Sequence, residues 1–176
     1  LRIGVISDTH IPEAGPVLPP QVYQALQGCD LIVHCGDIHD VKVLDWLERV
    51  APVVGAWGNG DQEGGSRPVQ PPDHRMKDVQ VLHLGGLKVG VRHFFPFPED
   101  AWMGLDRMML TYFGERMDVI LCGDTHIEGI ADWKGTLLVN PGSPTLPRQV
   151  SGLGHVALLD IEGGVPRARI VALKDV

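Results

Sequence analysis

The tetrapeptide Asp8-Thr9-His10-Ile11 recurs as Asp124-Thr125-His126-Ile127, and each copy closes an apolar, β-branched run. The runs are Ile3 to Ile6 and Val119 to Leu121. Such runs read as buried strands, and open α/β sheets place ligands beyond the C-terminal ends of their strands. In an extended Asp-x-His the first and third side chains point the same way. Each copy then offers a carboxylate and an imidazole on one side, half of a metal site. The alternative for one copy is an Asx-turn beside an unrelated histidine; duplication at two matching strand ends favours the metal reading.

The rest of the chain follows the same grammar. Residues 1–7 read as a strand, 21–26 as a short helix ended by Gly28, and 31–35 as a second strand followed by Gly36-Asp37. Residues 41–50 carry apolar positions at 43, 44, 47 and 50, a helical period, and 53–57 form a third strand ending in Gly58-Asn59-Gly60-Asp61. Residues 62–78, with Gly64-Gly65, Pro68, Pro71 and Pro72, read as irregular surface. Residues 79–84 and 87–92 pair around Gly85-Gly86, and His93 follows. Residues 98–116 read as a helix whose stripe of Trp102, Leu105, Met109 and Phe113 enters the core. Residues 119–122 precede the second repeat, and 129–133 pair with 136–139. Asn140-Pro141-Gly142-Ser143-Pro144 is a rigid turn, and 155–161 with 167–173 close the chain as a hairpin. The expected fold is α/β, two facing mixed β-sheets flanked by helices, in a single domain over residues 1–176.

Composition bounds the partners. A net charge of -7, with no Lys/Arg run, argues against broad duplex nucleic-acid binding, which needs phosphate neutralisation. No apolar run reaches ~18 residues, so no membrane association is expected, and no signal-peptide pattern opens the sequence. Cys29, Cys35 and Cys122 lack CxxC spacing and read as buried reduced thiols of a cytoplasmic protein. A homo-oligomer is compatible with the sequence.

The strand-end polar residues are Asp8, His10, Asp37, Asn59, His93, Asp124 and His126. Their order, D-x-H, G-D, G-N-x-D, a strand-end histidine, G-D-T-H and N-P-G-S, resembles the calcineurin-like metallophosphoesterases, in particular the small bacterial and archaeal phosphodiesterases of that superfamily. The match spans residues 3 to about 148. The resemblance implies two divalent ions about 3.5–4 Å apart. Asp8, His10 and His126 would hold the first, Asp37 would bridge, and Asn59, His93 and Asp124 would hold the second. Mn is the metal the reading puts first, with Fe, Zn, Ni or Mg also compatible. The implied activity is hydrolysis of small phosphodiesters through a metal-bridging hydroxide, with Asn59 and His93 as catalytic residues and Asn59 also touching substrate.

Three departures from the family pattern bear on activity. Asp124 stands where the family has histidine, which adds negative charge. Gly60 stands where many larger members have a histidine acid, so no side chain there protonates the leaving group. His93-Phe94-Phe95 replaces H-G-H, and the two rings offer pocket walls. His39 and Arg148 are candidate substrate contacts, against the plainer readings of an exposed loop histidine and a surface salt bridge. Asp61 is expected to orient neighbouring backbone or a ligand histidine, and Trp57 and Trp133 to pack. The competing class is a non-catalytic interaction scaffold on the same fold.

Overall fold

The computed structural model describes residues 1–61 and 71–176; part of the irregular stretch expected at 62–78 lies outside the described residues. The strands are β1 (Arg2–Ile6), β2 (Leu31–His34), β3 (Val53–Ala56), β4 (Met76–Lys77), β5 (Gln80–Leu84), β6 (Leu87–Val91), β7 (Val119–Leu121), β8 (Glu128–Trp133), β9 (Thr136–Pro141), β10 (His155–Glu162) and β11 (Val165–Ala172). Three helices, α1 (Pro20–Ala25), α2 (Lys42–Leu47) and α3 (Leu105–Phe113), join them. The strand β4 is an addition to what the sequence suggested.

Two mixed sheets result. One has the order β11-β10-β1-β2-β3-β4, the other β5-β6-β7-β9-β8. In the first, β1 to β4 run parallel and β10 runs antiparallel to β1. In the second, β6, β7 and β9 run parallel. Strand alternation sorts the apolar side chains. Ile3 and Val5 of β1 meet Val89, Val91, Val119 and Leu121 between the sheets. Ile6 and Ile32 face outward onto Val22 and Leu26 around α1 and Leu44 and Leu47 of α2. Ile120 and Leu138 pack under Leu105, Met108 and Met109 of α3. Both faces of the central strands are therefore covered, which is why those strands read as unbroken apolar runs.

The third helix is much shorter than the 98–116 expected. It begins after Gly104, whose backbone is extended (φ -58°, ψ 131°), and stops at Gly114 in the left-handed conformation (φ 79°). Trp102 consequently leaves the helical stripe and stands 59% exposed. At the opposite face Gly4 permits α1 to lie close, since a Cβ there would meet Leu26 Cδ2 at 2.6 Å. The three cysteines are free and buried.

Candidate metal centre

Every loop that carries a candidate ligand leaves the C-terminal end of a parallel strand. Asp8 and His10 follow β1, Asp37 follows β2, Asn59 follows β3, His93 follows β6, and Asp124 and His126 follow β7. The Asp-x-His segments are not extended. Asp8 (φ 54°) and His10 (48°), and Asp124 (71°) and His126 (58°), are all left-handed. The same holds for Asp37 (54°) and His39 (63°). Asp37-Ile38-His39 is thus a third copy of the device, with the same Asp-x-His spacing and Ile where the other two have Thr. Each non-glycine left-handed residue costs on the order of 1 kcal/mol, and such strain collects where side chains must be aimed. Alternating left-handed turns do what an extended strand was expected to do: they bring the i and i+2 side chains to one point.

That point is crowded with donors. Asp8, His10 and His126 form one cluster of potential ligand atoms, His10, Asp37 and His39 a second, and Asp8, Asp37 and His93 a third, each within 4.8 Å. His10 Nε2 lies 3.3 Å from Asp37 Oδ2. His93 Nε2 lies 3.5 Å from Asp37 Oδ1 and 3.6 Å from Asp124 Oδ1. His126 Nε2 lies 3.4 Å from Asp8 Oδ1. Asn59 opens a short 3-10 turn at the exposed rim and shares a cleft of about 560 Å³ with His93 and Asp124. His39 is buried rather than exposed, and its Nδ1 meets Glu13 Oε2 at 2.8 Å. The Arg148 side chain pairs with Glu128 at 2.9 Å at the surface, while its backbone N–H donates to the His126 carbonyl at 3.0 Å.

The donor set fits divalent metal. His93 Nδ1 is 2.7 Å from the Cys35 carbonyl and His126 Nδ1 is 2.9 Å from the Leu146 carbonyl. A carbonyl only accepts, so each Nδ1 must donate. With Nδ1 so engaged, Nε2 of each ring is the atom that faces carboxylate oxygen, the placement in which a histidine offers Nε2 to a metal ion. Asp8 Oδ1, His10 Nε2 and His93 Nε2 are buried without a hydrogen-bond partner among the described residues. Buried polar atoms of that kind require an explanation, and a divalent cation supplies one. Imidazole with carboxylate suits Mn, Fe, Zn or Ni.

Backbone donors hold the carboxylates in place. Gly60 N–H donates to Asp37 Oδ1 at 2.7 Å, and Asp61 accepts from the N–H groups of Ile38, His39 and Gly58. Ser143 Oγ donates to the Asp8 carbonyl at 2.7 Å, which ties the NPGS turn to the first repeat. His34 is fully buried between the first two ligand loops, accepting from Gly36 N–H and meeting Thr9 Oγ1 at 3.2 Å. Burial, followed by the neighbouring charge of His93, lowers its pKa to about 3, so it stays neutral. Burial raises the Asp124 carboxyl above its usual range, against the pull of His93. Glycines make the close approaches possible: a Cβ on Gly58 would fall 2.1 Å from Asp37 Oδ1, and one on Gly123 would fall 1.9 Å from Ser7 Oγ.

Facing sheets whose parallel ends gather carboxylates and imidazoles beside an open cleft define the metallophosphoesterase class. The chain belongs to the calcineurin-like phosphoesterase superfamily, whose domain model matches residues 1–164. A probable metallophosphoesterase of Methanocaldococcus jannaschii is 38% identical over 150 residues, covering 84% of this chain and 70% of that protein. The fold is shared with Vps29 of Entamoeba histolytica complexed with Zn2+, at a TM-score of 0.70 and 19% identity over 98% of this chain and 99% of that one. It is also shared with a novel archaeal phosphodiesterase, at a TM-score of 0.65 and 19% identity over 97% of this chain and 100% of that one. No helix among the described residues is long and apolar enough to cross a membrane.

Proposed function

We propose that the protein is a phosphodiesterase that uses two divalent cations, with Mn the first choice for its hard, oxygen-rich shell. The observation that carries this reading is the convergence of Asp8, His10, Asp37 and His93 with buried ligand atoms that lack other partners. Asp8, His10 and His126 would hold one cation, and Asn59, His93 and Asp124 the other. Asp37 would bridge; its Oδ2 lies 3.3 Å from Nε2 of His10 and its Oδ1 3.5 Å from Nε2 of His93, one donor of each proposed cation, which supports that role. Such a pair, when bound, polarises the phosphoryl group and offsets charge on attacking and leaving oxygens.

The chain's own residues set the substrate preference. Asn59, exposed at the cleft rim, offers its amide to a phosphoryl oxygen. Residue 60 contributes only a backbone N–H, already committed to Asp37, so nothing at that position protonates a departing oxygen. Leaving groups that depart as stable anions are favoured. Asp124 adds negative charge beside His93, which penalises the dianionic phosphate of a monoester relative to a monoanionic diester. The phosphodiesterase whose fold the chain shares points the same way.

The test is metal content after purification without added metal, then turnover of matched aryl monoesters and diesters with Mn. Asp37→Asn should lose metal and turnover together; full occupancy in that variant would overturn its bridging role. Faster monoester turnover would overturn the diester preference. A second reading, an interaction scaffold, is favoured by exposed Ile127 and Ile130 beside the second repeat and by the shape shared with Vps29. Full metal occupancy with no turnover of either ester would select it.

A further inference from the structure

Beside the ligand cluster lies a cation that the reading above does not use. Arg92, the residue before His93, lines the same cleft as Asn59, His93 and Asp124. Its guanidinium sits 4.0 Å from the ring centroid of Tyr112 and donates to the Phe94 carbonyl. Among the described residues it forms no ion pair, although Asp78 and Asp124 line the same cleft. An arginine packed on an aromatic face and anchored by one carbonyl is held in place with most of its five N–H donors uncommitted. A planar fork so placed suits a phosphate oxygen pair.

The cleft also has ring-bearing walls: Trp57, Phe94 and Tyr112 all line it. Phe94 is backed by Trp102, with ring centroids 5.7 Å apart and planes inclined by 16°, so its orientation is set. Tyr112 is covered by Arg92 and met edge-on by Phe95 at 6.2 Å. Trp57 is half-buried against the core at one side, which holds it as a fixed wall. Rigid rings beside a cation accept a flat π-surface that is joined to an anion.

We propose that this cleft binds one ester arm of the substrate, that the arm is a neutral planar aromatic or heteroaromatic group, and that Arg92 grips the phosphodiester anion next to it. The assignment rests on the phosphodiesterase reading. It also accounts for a balance of charge: Asp124 adds a carboxylate to the site, and Arg92 restores a positive group in the same cleft. Asp78 in the cleft disfavours an arm that carries a second anionic phosphate.

Two measurements on the Mn-loaded protein test this. The first is calorimetric binding of two monoanionic diester mimics, methyl phenylphosphonate and methyl methylphosphonate, to wild type, Arg92→Gln and Phe94→Ala. Wild type should bind the phenyl compound about tenfold more tightly, the scale of one stacked ring. Arg92→Gln should weaken both compounds about tenfold, the scale of one charge-assisted contact. Phe94→Ala should erase the phenyl preference and leave binding of methyl methylphosphonate as it was. Equal binding of the two by wild type, or wild-type binding by Arg92→Gln, would overturn the assignment. The second measurement is turnover of bis(p-nitrophenyl) phosphate against methyl p-nitrophenyl phosphate, which share a leaving group. The bis-aryl ester should show the higher kcat/KM, with loss of the difference in Phe94→Ala. Turnover without that difference overturns the cleft assignment alone. Intact binding preference with no turnover of either ester supports the cleft and overturns the phosphodiesterase reading.

Discussion

The main-chain N–H of Asp124 donates to Asp8 Oδ2 over 3.1 Å, so the two copies of the repeated tetrapeptide are joined directly across the seam between the sheets. The side chain of Asp124 is therefore free to face His93, while its backbone positions the other aspartate. Backbone and side chain can be separated by Asp124→Asn. Asparagine tolerates the left-handed conformation and keeps the N–H bond, but removes the charge. Inorganic phosphate should then inhibit at roughly fivefold lower concentration, the scale of about 1 kcal/mol for one charge removed at about 4 Å in the water-like dielectric of an open cleft. An unchanged inhibition constant, with the fold intact, would show that Asp124 does not act on the anion.

Gly58 is the tightest of the glycine contacts around Asp37. Its missing Cβ would meet Asp37 Oδ1 at 2.1 Å and Asp37 N at 2.4 Å, and neither can retreat without breaking the loop. Gly58→Ala should cost about 3 kcal/mol in urea denaturation and weaken metal binding with it. A substitution at Gly28, where nothing lies within 4 Å, strains only a left-handed backbone and should cost about 1 kcal/mol without touching metal affinity.

Asp61 accepts three backbone N–H groups from the loops that carry Asp37 and Gly58. Burial raises its pKa, although those donors oppose the shift. Asp61→Asn turns an amide NH2 toward some of those donors and should lower stability by about 2 kcal/mol. Because Asp61 touches only backbone beside the candidate ligands Asp37 and Asn59, the variant should bind metal more weakly while keeping its metal preference. Calorimetry with Mn and Zn measures both.

Metal-free protein should show a distinctive pH profile. Burial opposes charge on the His10 ring, but pairing with Asp37 and Asp8 outweighs it and raises the pKa to about 9. Asp37, although burial pushes it up, is held well below the carboxylate range by His10, His93 and the Gly60 N–H. His10 thus contributes stability that is complete below its ordinary value of 6.5 and is lost as pH rises toward about 9. Asp37 contributes stability above its ordinary 3.8 that is lost in stronger acid. Thermal melts of the metal-free form should be most favourable between these two limits. Metal must displace the His10 proton, so its apparent affinity should climb with pH until about 9 and its binding should release protons to the buffer. A flat affinity profile from pH 6 to 9 would contradict this.

The sheets were legible because apolar runs such as 3–6 and 119–121 end in polar clusters, and the parallel strand order follows from that pattern. The candidate ligands were nominated by their order and by the family resemblance, and the structure brings Asp8, His10, Asp37, His93 and His126 into shared clusters with Asn59 and Asp124 in the cleft beside them. The local backbone was not legible: an Asp-x-His can aim its side chains from an extended strand or from two left-handed residues, and only the neighbours that absorb the strain decide. Gly36, Gly58 and Gly123 are those neighbours, and their role lies in contacts distant in sequence. The over-long helix at 98–116 arose from a spacing that Trp102 happens to satisfy, although Gly104 interrupts it. Arg92 carried no motif at all; its place depends on Tyr112, which α3 brings over it.

Asp8, His10 and Asp37 ride on one sheet and His93, Asp124 and His126 on the other. Two of the three donor clusters draw on both sheets, so a cation held by either would report on docking of the layers as a whole. A cation seated there would act as a rivet: the layers could not slide or part without first ejecting it. Chelation should therefore loosen hydrogen-exchange protection in β1 and β7 together, far beyond the loops that hold the ion, and a single event at the rim would be read through the whole sandwich.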